Sequence, residues 1–305
     1  MTIKTLAVGT DFSELGNAGV RDAVSFARTM GAERLHVVHV VGSGQAAATF
    51  PYSITAEQLL AAHEEAARNA EARLAEVTRS LSGLDITTEV RVGIPAREIV
   101  SAAEAVSADL LFVSTHGYGG FRRLMLGSVA SSVVRAAHCP TYVVGPERAY
   151  RPAKNVLAAV DLSLVSADVV RSALQMARAV SGQVRVVSLF EHPLVYVPDG
   201  EVFPRYFSEA DGQKLEAKHA DAVWAVVREV GADGVDVQVD AMSKLPASLA
   251  ILEVAALVQP DLIVIGSSGH NAWHRMILGS TAGRVVAEAT APVLVVPHEG
   301  DRKPS

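Results

Sequence analysis

The chain reads as an α/β protein built from two tandem doubly wound parallel sheets of five strands each. Three observations predict this class. Short runs such as Asp261-Leu-Ile-Val-Ile265 are β-branched and aliphatic without polar alternation, as expected of strands buried on both faces of a parallel sheet. The runs alternate with amphipathic helical stretches, the pattern of βα units. The whole series also occurs twice. Asp11-Phe-Ser13 returns as Asp161-Leu-Ser163 at an offset of 150, and residues 109–144 return as 261–296 at an offset of 152. So stable an offset over a full series means duplicated domains rather than a short-period solenoid.

In the first copy, residues 3–8 predict a strand ending at Gly9-Thr10-Asp11, and a helix over about 15–30 is closed by Gly31. Residues 35–41 predict a second strand. Thr55-Ala-Glu-Gln58 reads as a capping box opening a long helix, whose buried stripe runs through Leu60, Ala67, Leu74 and Leu81. A third strand over 86–92 leads through Gly93-Ile-Pro95 into a helix over about 96–106. A fourth strand at 109–113, a helix from Gly127-Ser128 to about 137, and a strand at 141–144 after Pro140 complete the copy. The second copy predicts strands at 154–160, 184–190, 261–265 and 293–296, and helices over about 166–180 and 215–230, with Gly182 as the counterpart of Gly31. A further helix opens at Gly279-Ser280. The domains are expected at 1–146 and 153–298, divided in a polar, proline-containing stretch, with a frayed tail at 299–305.

The chemistry-bearing stretch lies after the fourth strand of each copy. Gly266-Ser-Ser-Gly269 follows a strand, and nine residues later Gly279-Ser280 opens a helix; the first copy has Ser114-Thr-His-Gly117 and Gly127-Ser128 at the same spacing. Glycines bring backbone N–H groups close to a ligand, and a helix N-terminus adds partial positive charge, a combination suited to phosphate. The Ser280 hydroxyl can cap the helix or donate to a phosphate oxygen. The spacing is neither the dinucleotide G-x-G-x-x-G nor a P-loop, since no lysine follows Gly279. In a doubly wound sheet ligands bind at the carboxyl ends of the strands, at the switch point of strand order, where Asp11 and Asp161 also fall. Each aspartate reads either as a ligand contact, the favoured reading, or as a helix N-cap.

Composition bounds the alternatives. Of the 305 residues half are hydrophobic and 20% charged, which suits globular α/β domains, and a net charge of −6 with no long basic run argues against nucleic acid. No apolar run approaches membrane-spanning length and no n-region precedes an h-region, so a cytoplasmic protein with no membrane partner is expected. The one cysteine, Cys139, excludes an intrachain disulfide and reads as a buried inert thiol. His270 and His274 lack a third ligand at metal spacing and read as a solvated loop; His116 reads as structural rather than as a general base. Arg122, Arg123 and Arg275 read either as phosphate contacts or as surface. No nucleophile–base set and no metal site is predicted, and hydrolysis is expected to be slow at most.

The G-x-x-G-(nine residues)-G-[ST] spacing, the strand-one Asp-x-Ser, Leu-Gly-Ser and the closing Pro-x-x-Val-Val together resemble the universal stress protein family, over essentially the whole chain. The resemblance implies two Rossmann-like, adenine nucleotide-binding domains that pair through their final strands into a pseudo-two-fold unit. It implies ATP as ligand, with Mg²⁺ arriving on its phosphates. Adenosine contacts then fall on Asp11 and Asp161, and adenine contacts on the backbone at Val40 and Leu189. Phosphate contacts fall on Gly117, Gly127, Ser128 and Val129, and on Gly266, Gly269, Gly279, Ser280 and Thr281. Ser114 departs from the motif, standing where its first glycine belongs, so the second site is expected to bind at least as tightly as the first. The function expected is an ATP-dependent stress or signalling module forming a homodimer with an unidentified protein partner. A nucleotide-free interaction scaffold and a slow ATPase are the competing classes.

Overall fold

The computed structural model describes residues 3–42, 55–115, 126–146, 148–190, 195–196, 202–203, 209–243, 246–268 and 278–297. The first half runs β1 (Thr5–Gly9), α1 (Glu14–Met30), β2 (Arg34–Gly42), α2 (Ala56–Thr78), β3 (Asp85–Gly93), α3 (Pro95–Ala105), β4 (Leu110–Ser114), α4 (Ser128–Ala136) and β5 (Thr141–Val144). The second half runs β6 (Asn155–Val160), α5 (Ser166–Arg178), β7 (Gln183–Leu189), the small strands β8 (Val195–Tyr196) and β9 (Val202–Phe203), α6 (Glu209–Val230), β10 (Asp236–Met242), α7 (Ala247–Val258), β11 (Leu262–Gly266), α8 (Ser280–Glu288) and β12 (Val293–Val296).

Local chemistry explains the boundaries. Ser13 caps α1, its hydroxyl accepting the Gly16 N–H, and Gly31 ends the helix in the left-handed region at φ 70°. Thr55 and Gln58 form the expected reciprocal capping box. Pro95 occupies the first turn of α3, where a missing N–H leaves no hydrogen bond unmade. One expected cap differs. After α5 the left-handed residue is Ser181, at φ 53°, while Gly182 serves a close approach instead: a Cβ there would stand 2.6 Å from the Lys154 carbonyl oxygen.

Ten strands form one sheet in the order β10-β7-β6-β11-β12-β5-β4-β1-β2-β3, and the β8–β9 pair lies outside it. Within the ten-stranded sheet all pairings inside each half are parallel, and the two halves meet where β5 and β12 pair antiparallel, Leu294 opposite Tyr142. The doubly wound order and the expected pairing through the final strands are therefore both present. Strand residues alternate between two apolar layers. Leu6, Val8, Leu110 and Phe112 face α1 and α2, while Ala7, Leu111 and Val113 face α3 and α4. The second half repeats the arrangement, α5 and α6 covering one face and α7 and α8 the other. Cys139 is half-buried against the second layer rather than fully buried, because it sits in the turn before β5 instead of within the strand. Arg148, from the connection between the halves, is buried and donates from Nη1 to the carbonyls of Val286 (2.7 Å) and Ala289 (3.3 Å). It thereby satisfies last-turn carbonyls of α8, and burial lowers its guanidinium to about 10, still charged at neutral pH.

Candidate functional site

In each half the strand order turns outward in both directions from the central pair, β1–β4 or β6–β11. A crevice opens beyond the carboxyl ends of such a pair. Asp11 follows β1, Val40 lies near the end of β2, and Ser114 ends β4; Asp161 follows β6, Leu189 ends β7 and Gly266 ends β11. Gly127 and Gly279 are the N-cap residues of α4 and α8, with Ser128, Val129, Ser280 and Thr281 forming the first turns. Twelve of the fourteen residues singled out in the sequence thus lie at these two edges. Gly117 and Gly269 lie outside the described residues, as do His116, Arg122, Arg123, His270, His274 and Arg275.

The starts of α4 and α8 are built alike. The Gly127 N–H donates to the Thr115 carbonyl at 2.7 Å, and the Gly279 N–H to the Ser267 carbonyl at 2.8 Å, so each helix start is fastened to the end of its preceding strand. Neither helix has a side-chain cap, and the first intrahelical bonds come only at Ser131 and Gly283. The amides of the first turns are therefore left without helical partners, with Ser128 and Ser280 exposed beside them. The Ser280 hydroxyl does not cap α8, since Ser280 stands one residue inside the helix. An anion is favoured at such an end by the outward N–H groups and the dipole together.

The aspartate loops are strained and tightly held. Phe12 and Leu162, each following the aspartate, both adopt φ near 60°, a region that non-glycine residues occupy at a cost of about 1 kcal/mol or more. Asp11 Oδ1 accepts from the Ser13 N–H (3.0 Å) and from the Ser13 hydroxyl, and Asp161 Oδ1 accepts from the Ser163 N–H (3.0 Å) and the Ser166 hydroxyl (3.4 Å). Neither aspartate caps the helix that follows. Ser13 caps α1, whereas the Ser163 hydroxyl is buried with no hydrogen-bond partner, a donor left over at the second site. Gly16 makes room for the first loop: a Cβ there would approach Asp11 Oδ1 to 2.5 Å.

Ser114 resolves its departure from the motif. Its φ lies outside the left-handed region and its hydroxyl turns inward, donating to the Leu15 carbonyl of α1 at 3.1 Å. Gly19 opens the space, since a Cβ there would meet Ser114 Oγ at 2.4 Å. In the second half the bulk is exchanged: Val169 stands where Gly19 does, and a Cβ on Gly266 would meet Val165 Cγ1 at 2.6 Å. The glycine or serine at this position thus answers to packing against the first helix.

Sequence reasoning missed a set of polar groups beneath the loops. His39 donates from Nδ1 to the Thr10 carbonyl at 2.8 Å and stacks on Phe12 at 4.1 Å between ring centroids, and the Arg73 guanidinium lies over the Phe12 ring 4.2 Å from its centroid. Burial holds His39 below its ordinary pKa, against a partial opposing effect of the carbonyl. In the second half the Ser188 hydroxyl donates to the Val160 carbonyl at 3.0 Å and meets His219 Nε2 at 2.9 Å, and His219 stacks on Phe190. The only signal was a polar residue inside an apolar strand run. Among the described residues no group of three metal-ligating side chains occurs, and no helix is long and apolar enough to cross a membrane.

A model of the universal stress protein family matches residues 2–145 and 152–297. The chain is similar to a universal stress protein of Mycolicibacterium smegmatis, 29% identical over 302 residues that span 95% of this chain and 96% of that one. It is 34% identical over 143 residues to a universal stress protein of Methanocaldococcus jannaschii, matching 46% of this chain and 81% of the relative. Among solved structures, a universal stress protein from Archaeoglobus fulgidus superposes with a TM-score of 0.71 at 21% identity, covering 98% of this chain and all of the other.

Proposed function

Because this chain belongs to the universal stress protein family, we propose that it binds ATP at each of its two edges and acts as a nucleotide-dependent stress or signalling module. The observation that carries this reading is the pair of uncapped helix starts, α4 and α8, each set beside a strained aspartate loop at a strand-order switch point. First-turn amides at Ser128–Ala130 and Ser280–Ala282 suit a polyphosphate, with Gly117 and Gly269 proposed as further backbone contacts. Asp11 and Asp161 would accept from a ribose, and the backbones of Val40 and Leu189 would flank the base. The orphaned Ser163 hydroxyl suits a ligand oxygen and supports a second site at least as tight as the first. Mg²⁺ would travel with the phosphates, since the described residues offer it no cluster of their own. No lysine follows either Gly-Ser pair, so the reading is of a binder rather than a fast hydrolase. A cytoplasmic homodimer with a protein partner completes the proposal.

An added negative charge tests it cleanly. Ser128→Asp and Ser280→Asp place a carboxylate at a helix start, which favours the helix by about 0.3–1 kcal/mol yet repels phosphate. Calorimetric titration of nucleotide-stripped protein with ATP and Mg²⁺ is expected to show two sites per chain in the native protein. Each substitution should weaken one of them at least tenfold, with thermal stability unchanged or raised. Absence of heat up to millimolar ATP, in protein shown to be folded, would overturn the reading in favour of a nucleotide-free scaffold.

A further inference from the structure

We propose that His39 in the first half, and the Ser188–His219 pair in the second, are positioning residues that fix the aspartate loops by holding the backbone carbonyl immediately before Asp11 and Asp161. The proposal deepens the nucleotide-binding reading and rests on it for its functional consequence.

The two halves reach the same hydrogen bond by different chemistry. Thr10 and Val160 are equivalent, each preceding its aspartate, and His39 and Ser188 are equivalent on the second strand of each copy, with Val38 and Val187 before them. In the first half the imidazole itself reaches the Thr10 carbonyl. A carbonyl only accepts, so His39 carries its proton on Nδ1. In the second half the shorter Ser188 donates its one hydrogen to the Val160 carbonyl, so its oxygen accepts from His219, which carries its proton on Nε2. An imidazole is still present at the hydroxyl, now from α6 and stacked on Phe190 as His39 is stacked on Phe12. A duplicated chain that preserves a contact while changing both side chains shows what the position requires: a donor aimed at that carbonyl, and a ring behind it.

Geometry shows what the contact does. Two residues beyond the held carbonyl, Phe12 and Leu162 turn into the left-handed region, and the aspartate between carbonyl and turn has its direction set by both. In the first half regular pairing with the neighbouring strand stops at Gly9 opposite Val38, whereas in the second it continues to Val160 opposite Ser188. The His39 bond thus anchors a carbonyl beyond the last residue pair of β1 with β2. Thr10 adds its own restraint, its hydroxyl accepting the Phe12 N–H at 3.1 Å. Arg73 from α2 lies over the Phe12 ring, so the loop is contacted from strand and helix together.

The test uses the full chain and two readouts. His39→Ala removes the donor, whereas His39→Asn sets an amide nitrogen near the place of Nδ1 and restores it. Ser188→Ala and His219→Phe do the equivalent in the second half, the latter keeping the ring while removing its hydrogen bond. Without nucleotide, amide hydrogen exchange at Ser13 is expected to quicken about tenfold in His39→Ala and to return to the native rate in His39→Asn, the size expected for one buried hydrogen bond. With MgATP, the first site's dissociation constant should rise about tenfold in His39→Ala, recover in His39→Asn, and leave the second site unmoved; Ser188→Ala should do the reverse. Unchanged exchange in His39→Ala overturns the proposal, as does faster exchange with unaltered affinity, or a loss that His39→Asn fails to restore. If native protein binds no nucleotide, the exchange measurement still decides whether the loop is held, and only the nucleotide reading falls.

Discussion

Gly266 is held to glycine by the packing of a valine. Its missing Cβ is the space that Val165 Cγ1 occupies, and Ser114 is tolerated at the equivalent place because Gly19 has withdrawn its side chain. Gly266→Ala is therefore expected to destabilise the fold by about 1–3 kcal/mol through overpacking. Val165→Ala should relieve part of that loss, a coupling that a double-mutant cycle in urea unfolding would reveal as non-additivity. Additive effects would show that the loop and not Val165 sets the requirement. The buried imidazoles give a second expectation. Burial lowers the pKa of both His39 and His219 from 6.5, so the unfolded chain binds more protons in the window just below that value. Stability then holds above pH 6.5 and declines as the pH falls through the lowered native pKa. Urea midpoints between pH 7.5 and 5 should follow that slope, and His39→Asn with His219→Phe should flatten it.

At the scale of elements, helix starts were the most legible part of the chain. The Thr55–Gln58 box, Pro95 at the head of α3, and Gly-Ser at the heads of α4 and α8 each carry a local steric or hydrogen-bonding reason that a few neighbouring residues disclose. The central strands were legible too, because burial on both faces leaves an unbroken apolar run, whereas the half-exposed edge strand β10 offers no such run and was not placed. What could not be read were contacts between residues distant in sequence. Asp109 takes the amides of Lys4 and Thr5, at the entry to β1, from 105 and 104 residues away, and Arg148 reaches the end of α8 across 138. Neither leaves any periodicity behind. The same limit hid His39 and His219, each of which is a lone polar residue until the fold brings its partner. It also reversed the emphasis on Ser114, whose consequence depends on a glycine in another element. The uncapped starts of α4 and α8 remain the elements on which phosphate binding turns, through the aspartate substitutions at Ser128 and Ser280.

Across the whole molecule, one sheet of ten strands joins halves whose strands run in opposite senses, since β5 and β12 pair antiparallel. The two candidate sites therefore open at opposite edges of that sheet. Arg148 fastens the seam by supplying the carbonyls of Val286 and Ala289 with a donor. Arg148→Met is expected to lower unfolding free energy by about 1–3 kcal/mol, the range for a charged donor to buried acceptors, less whatever is regained by not desolvating a cation. Urea unfolding followed by tryptophan fluorescence would measure it, and an unchanged midpoint would show that the seam is held by the apolar strands alone. The antiparallel seam has a further consequence, because its two partners are tethered in one polypeptide. Their encounter is intramolecular, governed by a fixed effective concentration rather than by the amount of protein present. Dilution that would separate two independent copies leaves this pair closed, so its response to a ligand should be the same in a sparse cell as in a crowded one. The tether also frees each half to change without the other, and the divergent ways in which His39 and Ser188 hold their carbonyls are a trace of that freedom.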